Sequence, residues 1–336
     1  MEETMKKVIA MLSSILLALS VVGCSSTKKS STSSTDQYPL TLTHAFGTTT
    51  IKKEPKRVAA IGWENGDTPL ALGIVPVGVS RSNYGAETKN HLHVWADQAF
   101  KKLGENNPVV FDDTDGWDYE AIAKTKPDVI IASYSGMTKE EYETLSKIAP
   151  VLPYKKNAWQ TTWRDQTIEN ATALGKKKEG EELVKKTETL IKDKLSSYPD
   201  IKGKKSAFMW FSAEDLSKFY VYTLKDPRAA YLQDLSLEVP ESIKSIDSKD
   251  FSLTVSREKA STFKDVELIV TYGDEALLKK MQSDPLLSQI PAIKNGAVVL
   301  LSSDSELAAG TTPSILSIPH NLDNYLKVIN EAAKKA

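Results

Sequence analysis

The sequence has one cysteine and four histidines in 336 residues, and its formal net charge at pH 7 is -1. Each scarcity excludes something. With a lone thiol, Cys24, there is no intrachain disulfide and no thiolate cluster for a metal. The near balance of charge argues against a broad nucleic-acid surface. The one lysine-dense stretch, Lys176-Lys177-Lys178, is followed closely by acidic residues and reads as a solvated helix face. A long apolar run occurs only at 8–22, short of the roughly 20 residues a helix needs to cross a bilayer. Serines are common but none sits in a nucleophile-elbow motif, and no Ser, His and Asp form a catalytic pattern. The adjacent carboxylates Asp112 and Asp113 read as a solvated turn, so catalysis is not expected.

What is present begins at the N-terminus. Lys6 and Lys7 precede the apolar run, which ends in Val21-Val22-Gly23-Cys24. That order is a bacterial secretion signal. An ordinary cleavage site needs only small residues, whereas a thiol at this place can receive a diacylglyceryl group. The expectation is a signal peptide at 1–23, lipidation of Cys24, and a flexible Ser/Thr-rich tether at 24–37. Acyl chains would then anchor the protein to the extracytoplasmic face of the cell membrane, each buried methylene contributing about 0.8 kcal/mol. A short membrane anchor and a plain cleavage site are the duller readings. Met5 serves as a start as well as Met1, since Glu2 and Glu3 suit a signal peptide poorly.

Beyond the tether, about 300 residues suggest two lobes rather than one core. Residues 38–51 alternate like a hairpin with Gly47 near its turn. Strand-like runs at 57–61, 75–79, 128–132 and 151–154 alternate with helical stretches at 67–72, 118–124 and 140–148. Helices are expected at 163–174 and 179–195, where Leu183, Val184, Thr187, Leu190, Ile191 and Leu195 share one stripe. Strands at 206–211, 219–223, 266–272 and 297–301, with helices at 228–235 and 321–334, repeat the pattern. Alternation of this kind predicts an α/β fold: two Rossmann-like lobes with parallel sheets, joined by one long α-helix. The expected lobes are 38–160 and 203–336, with a helical segment at 161–202 containing the bridging helix. An internal echo supports the duplication. Tyr119-Glu120-Ala121-Ile122 precedes an apolar strand ending at Tyr134, and Arg257-Glu258-Lys259-Ala260 precedes one ending at Tyr272.

Ordered motifs then carry a resemblance. They are Pro55-Lys56-Arg57-Val58-Ala59-Ala60, Leu70-Ala71-Leu72-Gly73-Ile74-Val75-Pro76-Val77-Gly78, Lys126-Pro127-Asp128-Val129-Ile130-Ile131 and Leu145-Ser146-Lys147-Ile148-Ala149-Pro150. The second half adds Asp284-Pro285-Leu286-Leu287 and Leu316-Ser317-Ile318-Pro319. Each is weak alone, but their order and spacing resemble the iron–siderophore substrate-binding lipoproteins of bacterial ABC importers. The resemblance covers residues 55–332 and extends to the hydroxamate, catecholate, haem and vitamin B12 binders of the wider group. It implies a monomer with no resident cofactor that collects a ferric siderophore and delivers it to a permease and its ATPase. It also implies a stiff interlobe helix with small closure, and one glutamate on each lobe, Glu120 and Glu258, that docks on the permease. An ordinary first-turn glutamate favoured by the helix dipole is the alternative reading of both.

Ligands of parallel α/β sheets sit beyond the carboxyl ends of the strands. Applied to each half, that rule collects Trp63, Arg81, Tyr84, Tyr134 and Trp159 from the first and Trp210, Phe251 and Tyr272 from the second. Aromatic walls would bury the carbon skeleton of a siderophore, and arginine would bond its oxygens. Trp210 and Tyr272 read equally well as core residues. Trp95 and Trp117 go either way, and Trp163 with Arg164 opens a helix in a structural role. Hydroxamate binders tend to carry an arginine where this chain has Phe111-Asp112-Asp113-Thr114-Asp115-Gly116-Trp117, a place Arg81 would have to fill. Some catecholate binders have one near Leu307, where this chain has Glu306. The scarcity of cations favours a hydroxamate or mixed-type ligand over a catecholate. The rivals are haem or cobalamin, which share the fold, and zinc or manganese. For the metals, His91, His93 and Asp97 are neighbours, but His44 and His320 are remote.

Overall fold

The computed structural model describes residues 38–336; the signal sequence, Cys24 and the tether lie outside the described residues. The chain enters through a hairpin of β1 (Leu40–His44) and β2 (Gly47–Ile51), whose turn uses Gly47 at φ 125°. The first sheet is then laid down in order: β3 (Val58–Ala60), α1 (Asp67–Ala71), β4 (Gly78–Ser80), α2 (Val94–Lys102), β5 (Val110–Phe111), α3 (Tyr119–Lys124), β6 (Val129–Ala132), α4 (Lys139–Leu145) and β7 (Val151–Pro153). Its strands run β5-β4-β3-β6-β7, all parallel. Helices cover both faces, which is why β3, β6 and β7 are buried at every residue rather than alternating.

Two helices follow, α5 (Trp163–Ala173) and α6 (Lys177–Leu195). The long helix α6 has 19 residues, about 28 Å at 1.5 Å per residue. Gly180 lets the two helices touch, because a Cβ there would meet the Ala171 Cβ at 2.5 Å. Val184 and Ile191 of α6 enter the core of the second half, while α5 packs on the first and sends Trp163 from its start into the second. The link between the halves is therefore the α5–α6 pair, with α6 as its long arm.

The second sheet comprises β8 (Ser206–Phe211), β9 (Lys218–Tyr222), α7 (Pro227–Asp234), α8 (Glu241–Lys244), β10 (Ser252–Ser256), β11 (Leu268–Tyr272), α9 (Glu275–Ser283), α10 (Pro291–Asn295) and β12 (Val298–Leu301). The chain closes with α11 (Glu306–Gly310) and α12 (Ser317–Ala333). Its strand order, β10-β9-β8-β11-β12, matches that of the first sheet position for position. The expectation of parallel sheets needs correction here. Only β8, β11 and β12 are parallel; β9 is antiparallel to both β8 and β10. Six residues, 212–217, separate β8 from β9, and a parallel crossover needs a dozen or more. The second half of the internal echo also differs: Arg257–Phe263 is a 3-10 helix, not an α-helix.

Candidate ligand-binding site

In a sheet of this strand order, the direction in which strands are added reverses between β3 and β6, and a crevice opens beyond their carboxyl ends. Trp63 and Tyr134 sit there. The backbone N–H of Trp63 donates to the Tyr134 carbonyl (3.2 Å), and Gly62, at φ 79°, passes so near that a Cβ would lie 2.9 Å from the same oxygen. Asn65 locks the crevice from beneath. Its Nδ2 donates to the carbonyls of Ile61 (2.8 Å) and Tyr134 (2.9 Å), and its Oδ1 accepts from Ser133 Oγ, the Tyr134 N–H and Asn170 of α5. Gln166 of α5 donates to the Trp63 carbonyl at 2.8 Å.

The second sheet repeats this geometry between β8 and β11, whose ends carry Trp210 and Tyr272. Both lobes line one cleft of about 680 Å³. On the second lobe it extends from Trp210 and Tyr272 over the sheet to Tyr222 and Phe251, and Phe251 precedes β10 instead of following a strand, a correction to its expected place. Seven of the eight expected residues line it: Trp63, Tyr84, Tyr134, Trp159, Trp210, Phe251 and Tyr272. Tyr84 and Tyr272 meet across the cleft with ring centroids 5.2 Å apart. Trp159 lies at the mouth, 36% exposed, edge-on to Tyr134 at 5.4 Å. Its φ of 59° and its packing against Gly136, where a Cβ would meet the indole nitrogen at 2.4 Å, hold the ring over the opening. Trp210 and Tyr272, which read as core or pocket, do both: each packs on the second core and lines the cleft. Burial pushes the Tyr84 and Tyr134 hydroxyls well above the usual phenol range, so both remain neutral donors.

The eighth residue, Arg81, is set apart. It follows β4, one strand outward from the reversal point, and borders a side recess of about 250 Å³ with Asp113, Trp117 and Glu141. Its guanidinium is engaged by Glu87 (3.1 Å) and Asp112 (3.8 Å). The cation inside the main cleft is Arg228, which the carboxyl-end rule did not collect. Asp226 caps α7 and accepts from the Arg228 backbone N–H (2.8 Å), Nε (2.9 Å) and Nη2 (2.7 Å). The guanidinium lies 4.2 Å over the Tyr222 ring, and its Nη1 is 3.5 Å from the Tyr272 hydroxyl. Burial opposes its charge, but the Asp226 carboxylate outweighs that and keeps it protonated. Asn83, Tyr222 and Thr312 are the other lining residues missed. The available signal was Asp226-Pro227-Arg228, an N-cap and N1 proline opening a helix just after a strand.

Glu120 and Glu258 are exposed and occupy equivalent positions, each the second residue of a helix following the outermost strand, β5 or β10. Glu120 pairs with Lys124 at 2.8 Å, and the Ser256 hydroxyl donates to Glu258. Of the histidines, His44 bonds Thr49, His91 bonds Glu87, His93 bonds Glu64 and His320 bonds Glu306. Among the described residues no cluster of three or more His, Cys, Asp or Glu is arranged to hold a metal ion, and no helix is long and apolar enough to cross a membrane.

With this geometry in hand, comparison with known proteins is informative. The family model for periplasmic binding proteins matches residues 58–305. Two crystal structures of PiaA from Streptococcus pneumoniae superpose well. The ferrichrome complex is 49% identical with a TM-score of 0.85 and covers 88% of this chain and 99% of that one. The other, titled an iron uptake ABC transporter substrate-binding protein, is 47% identical with a TM-score of 0.83 over 88% and 100%. The Fe(3+) dicitrate-binding periplasmic protein FecB of Escherichia coli is 25% identical over 79% of this chain and 86% of its own. YhfQ of Bacillus subtilis, provisionally named an ABC transporter substrate-binding lipoprotein, is 32% identical over 57% of this chain; the match spans about half of that relative, 55%. Two lobes of matching strand order, a cleft between their reversal points and a match over most of the length agree: the chain belongs to the periplasmic binding protein family.

Proposed function

We propose that the protein captures a ferric hydroxamate siderophore in the aromatic cleft and delivers it to an ABC-importer permease for iron uptake. One observation carries the ligand class: among the described residues the only cation lining the cleft, Arg228, is already neutralised by Asp226. Three singly charged hydroxamates cancel the charge of ferric iron, whereas three doubly charged catecholates leave a trianion. A cleft with no net charge suits the neutral complex, and beside the adjoining recess the acidic residues Asp112, Asp113 and Glu141 outnumber the one cation, Arg81, which disfavours the anionic one. Indole and phenol rings would cover the apolar perimeter, while Arg228 Nη1 and the neutral Tyr84 and Tyr134 hydroxyls reach hydroxamate oxygens. The ferrichrome complex of PiaA supports the same class.

Haem is disfavoured: among the described residues no histidine or methionine lines the cleft, and burial holds the Tyr84 and Tyr134 hydroxyls in the neutral form, which is a poor axial ligand. Delivery would use Glu120 and Glu258, exposed at equivalent positions of the two lobes, with lipidated Cys24 as the tether. The protein iron-loads nothing itself; the siderophore fills the metal's coordination sphere. Titrating the chain from Ser25 with a ferric trihydroxamate, a ferric tris-catecholate, haem, cobalamin and zinc, followed by tryptophan quenching, tests the reading. Quenching by the trihydroxamate is expected. Tight binding of zinc, haem or cobalamin with no response to any siderophore would overturn it.

A further inference from the structure

Beside Trp63 lies a small recess of about 40 Å³, bordered by Glu64, Asp67, Arg81 and His93. It is room for a water molecule or two. His93 is 3% exposed and immediately precedes α2. Its Nδ1 bonds the Glu64 carboxylate, and its Nε2 lies 2.9 Å from the Tyr84 carbonyl. A carbonyl only accepts, and Glu64, which also accepts from Trp95 Nε1 at 3.0 Å, is an acceptor too. With Glu64 ionised, as its lowered pKa favours, satisfying both partners takes a proton on each ring nitrogen, which makes the ring an imidazolium. It lies between two indoles, with centroids 5.6 Å from Trp63 and 4.6 Å from Trp95, where an aromatic face stabilises a cation.

We infer that His93 is a positioning residue for the ligand: a buried imidazolium that fixes two cleft walls at once, Trp63 through its ring and Tyr84 through its carbonyl. This rests on the siderophore reading of the cleft. Charged neighbours from each packed element fit the charge state. Glu64 comes from the loop after β3, and Asp67 from α1; Glu87 comes from the loop before α2, and Arg81 borders the small space. His320 of α12 lies beside Trp95 and pairs with Glu306. Burial works against the His93 charge, but Glu64 and the Tyr84 carbonyl outweigh it and raise the pKa above its ordinary value. Burial and the Glu64 charge together push the Asp67 carboxyl well above its usual range, which lessens the negative charge it brings beside Glu64; the Ser314 hydroxyl of the second lobe donates to Asp67. As pH rises through the His93 pKa, one ring proton is lost, and either Glu64 or Tyr84 loses its bond.

The experiment is a pH series of affinity for a ferric trihydroxamate, on wild type and His93→Gln, with 15N NMR of the histidine rings in ligand-free wild type. Glutamine keeps a donor towards Tyr84 but carries no charge. Wild type should show both His93 ring N–H groups at pH 7, with the Trp63 indole and Tyr84 signals shifting as His93 titrates. Its affinity should fall across that same titration. His93→Gln should bind about tenfold more weakly at pH 7 and show a flat profile. A singly protonated His93 at pH 7, or Trp63 and Tyr84 signals indifferent to its titration, would overturn the inference; both are read without ligand and without the variant folding. Failure of wild type to bind the trihydroxamate would instead overturn the siderophore reading.

Discussion

Arg228 is the residue on which ligand chemistry turns. Its bidentate pairing to Asp226 leaves Nη1 directed towards Tyr272, whose hydroxyl is in turn 2.9 Å from Thr311 Oγ1. Replacing it by glutamine should weaken trihydroxamate binding by about 100-fold and, by stranding the buried Asp226 carboxylate, lower stability by about 3 kcal/mol. Tyr272→Phe keeps the ring and removes one bridge, and about tenfold is expected. Affinity by quenching, beside chemical denaturation, separates the two effects; wild-type affinity in Arg228→Gln would place the ligand elsewhere. Sequence reasoning missed Arg228 for a topological reason. The carboxyl-end rule assumes parallel strands, and β9, which leads to α7, runs the other way. It found Trp63, Tyr134, Trp210 and Tyr272 because these close the parallel strands that flank each reversal point. Arg81 was overvalued because a rule about strand ends does not say how far a strand lies from that point. His93 was read within a His-x-His loop, and no local pattern could show that Glu64, 29 residues earlier, lies against it.

Among the elements, α5 joins the two walls. Trp163 and Arg164 at its start bond Asp234 at the end of α7, the helix whose first turn carries Arg228. Gln166 and Asn170, further along, hold Asn65 and through it Trp63 and Tyr134. The helical period of α5 was legible, but its polar inner face was not, since a stripe of Gln, Asn and Thr reads as solvent-facing. On the same helix Glu169 is 15% exposed at its side chain, and Oε2 lacks a hydrogen-bond partner. Burial, with Asp165 adding to it and Lys155 opposing, raises its pKa to about 7. A carboxyl with a raised folded-state pKa leaves stability unaffected below the unfolded pKa and costs stability as pH climbs through the window up to about 7. Glu169→Gln should therefore stabilise the protein by about 1–2 kcal/mol at pH 8 and leave it unchanged at pH 4. Melting curves at the two pH values check this; equal shifts at both would show that the carboxyl is not perturbed.

At the scale of the molecule, the halves are in contact behind and beside the cleft. Ser314 reaches Asp67, Gln160 Nε2 donates to the Lys249 carbonyl at 2.8 Å, and Gly85, at φ 79°, is pressed so close to Ala309 that a Cβ would lie 2.5 Å from its Cβ. Such ties leave little room for hinge motion, so ligand should change the radius of gyration by less than about 1 Å in solution scattering. Delivery is a separate property of the same body. Glu120→Ala combined with Glu258→Ala should abolish import while leaving ligand affinity intact, and uptake at the wild-type rate would refute the docking role. Charge selects the ligand: a cleft whose single arginine among the described residues is internally neutralised favours a neutral iron complex. Calorimetric titration of one preparation, at fixed pH and salt, with a ferric trihydroxamate and then a ferric tris-catecholate tests it directly. The trihydroxamate should bind at least about 100-fold more tightly, and equal or tighter binding of the catecholate would contradict the account.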